Sequence, residues 1–373
     1  MNNINLNPFL RKLDFYLLKR FSKNFFMFFL ILISIIFLIE FVELLRRTSE
    51  NANIQSVHQV LYLSALKLSG SVIHVLPFVI FVTTMYTAWR FNRNREMVII
   101  QNIGINSFKI LYPFIFFSLL LGVFYILILN PFLSYGVNSY EKIEQKIFRG
   151  KLSESFINKS GVWLRQGSKE NKIVIRASSF SPDQSLFENI TFYIFTKKNN
   201  FVERIDSKKA ELKENYWHMN DVIINRPNKK VVNIDEYTLS TNLSIDKIES
   251  SFLDPESISI LKLPNFIELL KQSGFSSTKH SIYKYKTYCL PFFFVGLILL
   301  AGAFTAKFTK NKKESVLLLL FCAVFGFLIY VVSEYIYSLG IADKLPTILA
   351  SVSPSIITIM LGIYFIIYFE NVN

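Results

Sequence analysis

A chain of 373 residues with 51% hydrophobic side chains and a mean hydropathy of +0.35 is too apolar to be an ordinary soluble protein. The formal net charge is +14, but no basic cluster interleaved with aromatic residues forms a recognisable nucleic-acid-binding module. DNA and RNA are therefore excluded as partners. The apolar excess is therefore expected in segments that cross a membrane.

Six apolar runs of roughly 20 residues or more predict six transmembrane helices. In chain order they cover residues 24–45, 60–89, 108–129, 288–308, 315–339 and 345–369. The first run is too long for the apolar region of a cleavable signal peptide, and no Ala-x-Ala-like site follows it. The predicted fold class is thus an α-helical polytopic membrane protein, interrupted between its third and fourth spans by a long polar segment.

Lys and Arg are distributed unevenly between the two sides of these spans. The richer side carries Arg11, Lys12, Lys19, Arg20, Lys23, Arg90, Arg93, Arg95, Lys109, Lys307, Lys310, Lys312 and Lys313. The short loops opposite carry only Arg46, Arg47 and Lys344. Because cytoplasmic loops retain the excess of Lys and Arg, we expect both termini in the cytoplasm and residues 131–280 outside it.

The outer segment 131–280 reads mainly as short strands, each bounded by Asn, Asp, Lys or Pro. They are predicted at 161–165, 172–177, 190–196, 201–205, 216–224 and 230–239. Strands at roughly ten-residue spacing favour an antiparallel sandwich or barrel. A helix predicted at 264–274 then leads back to the fourth span. The chain thus divides into spans one to three (1–130), a β-rich outer domain with its return helix (131–280), and spans four to six (281–373).

Motifs for catalysis or metal binding are missing from the sequence. The nearest approach to a nucleotide-binding P-loop, at 161–169, has the wrong glycine spacing and lies in the predicted outer sheet. The four histidines are scattered, and the two cysteines, Cys289 and Cys322, both lie in predicted spans. We therefore predict that the chain is not an enzyme and binds no metal or other cofactor of its own.

Four charged residues stand at the outer end of span 1. Glu40, Glu43 and Arg47 fall on one helical face, Arg46 is adjacent, and Glu43 can pair with Arg47 at i, i+4. One interpretation is a solvated mouth that meets a charged cargo. The other is an ordinary helix end whose side chains extend to the lipid headgroups. Lys67, near the outer end of span 2, is expected to extend to the headgroups in this way.

The cytoplasmic loop between spans 2 and 3 predicts a short amphipathic helix over about 93–104. Its apolar residues Met97, Val98 and Ile100 recur at helical spacing. Such a helix could rest on the lipid surface, or it could dock into a groove of a partner and pass motion to the spans. Periodicity alone leaves both interpretations open.

Taken in order, several segments resemble the lipopolysaccharide-export permease family LptF/LptG, and within it LptG. They are 41–47 at the end of span 1, Leu76-Pro-Phe in span 2, 95–104 in the cytoplasmic loop, 161–165, 254–259, and 263–274 ahead of span 4. The stretch Arg-Glu-Met-Val with its later Gly104 is the most specific of these pieces, and the order of all of them strengthens the resemblance.

The resemblance implies a permease subunit of an ABC exporter in the bacterial inner membrane. Such a subunit pairs with an LptF-like permease on an LptB-like ATPase dimer, which uses the ATP, and an LptC-like membrane protein adds a helix at one gate. Spans 1 and 5 would form lateral gates through which lipopolysaccharide leaves the outer leaflet. The outer domain would be a periplasmic β-jellyroll that passes the lipid to a protein bridge.

The resemblance also implies two sets of site residues. The cytoplasmic loop would be the coupling helix, with its contacts to the ATPase made by Arg95, Glu96, Met97, Val98 and Ile100. At the outer mouth, the predicted substrate-binding residues are Arg46 and Arg47, which match two of the family's lipid-binding cations, together with Glu40 and Glu43.

The sequence departs from the family pattern at the outer mouth. Glu40 stands where a Lys can occur, and Asn138 and Glu141 stand near expected Arg positions. The nearby cations Lys142, Lys146 and Arg149 carry no role over from the resemblance.

Three other functions are weighed against the LptG-like subunit. The sister subunit LptF would show itself by a more LptG-like partner. A membrane-anchored scaffold with a partner-binding β-domain would co-purify with no ATPase. An intramembrane enzyme would need a convergent catalytic set, and the sequence offers none.

Overall fold

The computed structural model describes residues 6–49, 57–148, 162–167, 171–181, 185–196, 200–213, 216–227, 229–241, 253–272, 275–305 and 312–372. Within these residues, six helices are long and apolar enough to cross a membrane, which confirms the predicted number. The helices are α1 (Leu6–Ser49), α2 (Val57–Arg93), α3 (Glu96–Asn102), α4 (Ser107–Phe124), α5 (Asn130–Phe148), α6 (Leu263–Gln272), α7 (Thr278–Thr305), α8 (Lys312–Ile341) and α9 (Thr347–Val372).

Helix α7 lies at the centre of the helical bundle, because its neighbours cover it on most sides. Its residues Leu297, Ile298 and Leu300 are almost fully buried. Gly296 lets α9 approach closely, since a Cβ there would lie only 2.4 Å from the Thr358 hydroxyl. By contrast, the apolar stretches of α1 and α8 are the least covered among the described spans. These two helices therefore present their apolar faces to lipid or to another subunit.

A π-helical turn, Tyr125–Leu129, joins α4 to α5 and positions the buried side-chain amide of Asn130. The Asn130 side chain donates to the Tyr283 hydroxyl of α7 (3.1 Å) and accepts from the backbone N–H of Ile260 (2.7 Å). Asn130 is only 1% exposed, so these bonds hold the segment that returns from the outer domain against the bundle. That return segment begins with a short 3₁₀ turn, Pro255–Ser257, capped by Asp254.

The described strands of the outer domain form one antiparallel sheet. They are β1 (Val162–Gly167), β2 (Asn171–Ala177), β3 (Ser179–Ser181), β4 (Leu186–Thr196), β5 (Phe201–Leu212), β6 (Tyr216–Asn225) and β7 (Val232–Ser240). The strand order is β1-β2-β4-β5-β6-β7, with β3 also paired to β4. The six predicted strands are present, β3 is an addition, and β4 and β5 are longer than predicted because they continue past irregular positions.

The sheet curls until its two edge strands meet. The Gln166 side chain of β1 donates to the Ser240 carbonyl of β7 (3.1 Å) and accepts from the Thr241 hydroxyl (2.7 Å). Asn189 and Asp221 take positive φ values where the pairing with β5 is interrupted on both strands without a change of register. The register shifts between Ile194 and Phe195, and such a bulge adds to the bend. The concave face buries Trp217, whose ring packs edge-on against those of neighbouring phenylalanines.

Candidate functional site

The charged residues at the outer end of α1 form a connected cluster with α2 and α5, here called the outer-mouth cluster. Glu43 forms an ion pair with Arg47, as its i, i+4 spacing predicted. Arg47 also reaches Glu144 of α5, with 3.4 Å between Nη1 and Oε1. Lys67 of α2 completes the cluster by forming ion pairs with both Glu40 and Glu43, the latter at 3.0 Å.

The expectation that Lys67 extends to the headgroups was wrong. Its side chain turns sideways and lies between two carboxylates, and only 21% of it is exposed. Glu40 is more buried still, at 15% exposure, and its Oε1 also accepts from the Ser71 hydroxyl (3.4 Å). A charged side chain inside a span needs a partner, and the apolar stretch around Lys67 offers none on α2 itself. The glutamates that α1 presents at the same depth supply that partner.

The cluster leaves its arginines as the most accessible cations at the end of α1. The Arg47 side chain is 43% exposed and Arg46 lies on the exposed surface. Both side chains take part in interactions within the chain, so they are available to an anionic ligand only through their remaining donors. Of the nearby cations, Lys142 of α5 is also exposed, while the side chains of Lys146 and Arg149 lie outside the described residues.

The loop between spans 2 and 3 contains the predicted helix, which as α3 covers Glu96–Asn102. Ile100 is 7% exposed, and Met97 packs against the same bundle core, so these two side chains hold α3 onto its own chain. Ile99 is instead 60% exposed and Ile103, just beyond the helix, is 51% exposed. The surface offered to a partner is thus turned away from Ile100, contrary to the sequence-based expectation, and the Val98 side chain lies outside the described residues.

Glu96 at the start of α3 is bonded within the chain through both carboxylate oxygens. The Tyr16 hydroxyl of α1 donates to Oε2 (3.0 Å), and the Asn94 amide donates to Oε1 (3.1 Å). Arg20 donates to the Tyr16 hydroxyl at 3.3 Å, and its guanidinium also lies over the Tyr16 ring. Arg95 precedes Glu96 with a φ of 58° and turns the chain into α3. A tyrosine of the first helix thereby connects the loop directly to α1.

The outer domain carries a polar groove of about 540 Å³ where the sheet bends. Its Asp206 accepts from the Thr191 hydroxyl (2.7 Å) and from Arg204 (3.0 Å). The hydrogen bond to Asp206 raises the pKa of Arg204 above its ordinary value. Because these groups satisfy one another, the groove offers a weaker candidate for an anionic ligand than the outer mouth.

The sequence analysis did not select several residues of these sites, among them Tyr16, Lys67, Glu144, Ile99 and Ile103. A charge within an apolar run could have pointed to Lys67, since such residues normally face protein. No sequence signal distinguishes Tyr16 from the other tyrosines of the chain.

Comparison with known proteins gives two findings. The family model for the lipopolysaccharide export system permease LptF/LptG matches residues 15–368. The lipopolysaccharide export system permease protein LptG of Haemophilus influenzae is 23% identical over 343 residues, which cover 87% of this chain and 89% of that relative. Since the match extends from the first span through the last, the chain belongs to the LptF/LptG family of lipopolysaccharide export system permeases.

Proposed function

We propose that this multi-pass inner-membrane protein is the LptG-like permease subunit of an ABC exporter that extracts lipopolysaccharide from the outer leaflet of the inner membrane. The observation that carries the proposal is the family match over nearly the whole chain, together with the similarity to an LptG protein. The outer-mouth cluster and the α3 loop lie at opposite ends of the spans. A transporter that binds its cargo on one side of the membrane and its ATPase on the other requires this arrangement.

In this proposal the cargo enters between α1 and α8. These helices are the least covered of the described spans, with large apolar side chains such as Leu38 and Val324 each 59% exposed. A gate must present an apolar surface to acyl chains and a polar edge to the headgroup. The outer-mouth cluster supplies that polar edge, and the Arg46 and Arg47 guanidinium groups can bind phosphate bidentately. In this proposal Glu43 orients Arg47, Glu40 is held by Lys67, and neither glutamate binds the lipid.

The energy would come from a separate LptB-like ATPase dimer that docks on α3. Ile99 and Ile103 provide the exposed apolar contact, and Arg95 and Glu96 provide charge at its edge. An LptF-like permease would complete the cavity, and an LptC-like membrane protein would occupy one gate. The chain itself then needs no bound nucleotide.

The outer domain would receive the lipid in the periplasm and pass it to a protein bridge. Its single curled sheet, joined at the edges through Gln166, has the concave apolar face that a jellyroll offers to acyl chains. The proposal places residues 131–280 in the periplasm and both termini in the cytoplasm.

The orientation predicts a labelling result. A cysteine at Asn225, exposed in β6, should react with a membrane-impermeant maleimide in cells whose outer membrane is permeable. A cysteine at Asn94, exposed before α3, should react only after the inner membrane is opened, because the Lys-rich and Arg-rich loops stay in the cytoplasm. Labelling of Asn94→Cys in intact spheroplasts would contradict the proposed topology.

The function itself is tested by co-purification. The tagged chain, extracted in mild detergent, should carry a second permease, an ATPase and bound lipopolysaccharide that mass spectrometry identifies by its lipid A fragment. Recovery of the chain with periplasmic partners but without an ATPase would instead favour a membrane-anchored scaffold. Recovery with a subunit that is itself more similar to LptG would assign this chain to the LptF position.

A further inference from the structure

A second polar seam crosses the bundle on the side of α8, away from the outer-mouth cluster. His74 of α2 lies between two partners, with 3.0 Å from its Nδ1 to the Tyr330 hydroxyl of α8 and 3.1 Å from its Nε2 to Oε1 of Glu256. Glu256 belongs to the 3₁₀ turn of the return segment. The imidazole therefore joins three parts of the chain that are far apart in sequence.

The seam continues one helical turn along α8. Glu334 accepts from Lys286 of α7, with 2.7 Å between Nζ and Oε1. Lys286 also lies over the Tyr337 ring, 4.6 Å from its centroid. The Lys286 side chain is 15% exposed and that of Glu334 is 35% exposed. Two polar contacts, through the neighbouring side chains of Tyr330 and Glu334, thus attach α8 to the rest of the bundle.

Beside these polar contacts, α8 is attached by apolar packing, such as Phe325 against Phe304 and Gly326 against Phe81. Its opposite side exposes Val324, Leu328 and Tyr335, at 59%, 52% and 63%. In a bilayer, apolar surface between helices and lipid gives no net hydrophobic driving force, so helix association depends on packing and on interhelical hydrogen bonds. The position of α8 therefore depends in part on the His74 and Lys286 contacts.

We propose that His74 is a positioning residue that latches α8 to the return segment of the outer domain. The inference rests on the proposed function, in which α8 is a gate helix. Since a carboxylate only accepts, Nε2 donates to Glu256, and Nδ1 makes the second hydrogen bond with the Tyr330 hydroxyl. Movement of the return segment then shifts His74 and weakens its hold on Tyr330. The state of the outer domain is transmitted to the gate through one side chain.

The latch is tested by removing single atoms. Tyr330→Phe deletes only the hydroxyl that contacts His74, and Tyr335→Phe is the matched control on the exposed face of the same helix. Spin labels at Val57 of α2 and Leu328 of α8, both exposed, report the distance between the helices in the purified complex in nanodiscs. Electron–electron double resonance then measures the populations with α8 near to and far from α2.

We expect Tyr330→Phe to raise the ratio of far to near population about threefold, as loss of one interhelical hydrogen bond in a membrane typically does. Tyr335→Phe should leave the ratio unchanged. Glu256→Gln, which leaves a side-chain carbonyl as acceptor, should have a smaller effect than Glu256→Leu. Tyr330→Phe should add nothing in a His74→Ala background, because the contact is already lost.

Equal distance distributions in Tyr330→Phe and Tyr335→Phe, or additive effects of Tyr330→Phe and His74→Ala, would overturn the latch. The distance measurement needs no transport, so it separates the two claims. A shift of α8 in a complex that transfers no lipopolysaccharide would support the latch and refute the proposed function. Where transport occurs, the latch predicts that Tyr330→Phe lowers the lipid transferred per ATP hydrolysed.

Discussion

Lys67→Met is expected to destabilise the protein more than the loss of either Arg46 or Arg47. The change leaves Glu40 and Glu43 side by side at 15% and 33% exposure, with Arg47 reaching only the second of them. Breaking a buried ion pair costs about 3–5 kcal/mol, and partial exposure reduces this to roughly 1–3 kcal/mol. We expect a lower melting temperature of the detergent-purified protein, measured by intrinsic fluorescence.

The control for this prediction is Lys344→Met, which removes a cation from an exposed turn on the same side of the membrane. It should leave the melting temperature unchanged. Adding Glu40→Gln to Lys67→Met should restore much of the lost stability, because it removes the more buried of the two uncompensated carboxylates. A Lys67→Met protein as stable as the Lys344→Met protein would show that Lys67 contributes no net stability at the outer mouth.

Glu96→Lys is expected to abolish most ATP-driven lipid transfer. The substitution removes the acceptor of both Tyr16 and Asn94 and places a cation beside Arg95, within the surface proposed to meet the ATPase. Reversing a charge at such a contact should lower activity by roughly tenfold or more. The measurements are the amount of ATPase that co-purifies and the lipid released per ATP hydrolysed.

Tyr16→Phe separates the two roles of Glu96. It keeps the ring and removes only the hydroxyl that links α1 to α3. If Glu96 serves both the ATPase and α1, Tyr16→Phe should retain ATPase binding but lower the lipid released per ATP about two- to threefold. An unchanged ratio in Tyr16→Phe, with loss of ATPase binding in Glu96→Lys, would leave docking as the only role of Glu96.

Most of the membrane architecture could be predicted from the sequence, because a span requires only length and apolarity. The runs at 24–45 and 108–129 were recognised in this way, but α1 and α5 extend beyond them through polar turns that hydropathy does not register. The continuation of α5 through Phe148 falls in a stretch assigned to the outer domain. This part of α5 is amphipathic rather than uniformly apolar, so hydropathy alone does not extend the third span through it.

The contacts within the candidate sites could not be predicted, because they depend on how helices rotate about their axes. Periodicity placed Glu43 and Arg47 on one face, which suffices for a pair on a single helix. It could not show that Lys67 of another helix lies between Glu40 and Glu43. The same limit applied to α3, where Ile100 faces the chain's own core and Ile99 faces outward. Helical spacing identifies a face but does not identify what covers it.

Arg46 and Arg47 are the outer-mouth residues proposed to bind the phosphates of the cargo. With Lys67 paired to both Glu40 and Glu43, Arg46→Ala together with Arg47→Ala leaves these two glutamates a cationic partner, and only Glu144 loses its contact with Arg47. The double change should therefore preserve the fold and act on the bound lipid, since it removes the most accessible phosphate-binding groups at the end of α1. This makes the arginine pair a cleaner probe of cargo binding than any change at Glu40 or Glu43.

The most direct test of the account is photo-crosslinking of lipopolysaccharide from a reactive residue at Val42, which is 62% exposed on α1 near the outer mouth. In proteoliposomes that contain the complete complex, the account predicts a crosslinked adduct whose yield changes when ATP is added. It also predicts that Arg46→Ala with Arg47→Ala lowers the yield several-fold, while insertion stays normal. An adduct that forms equally with and without ATP and in the double variant would contradict a cargo site at the outer mouth.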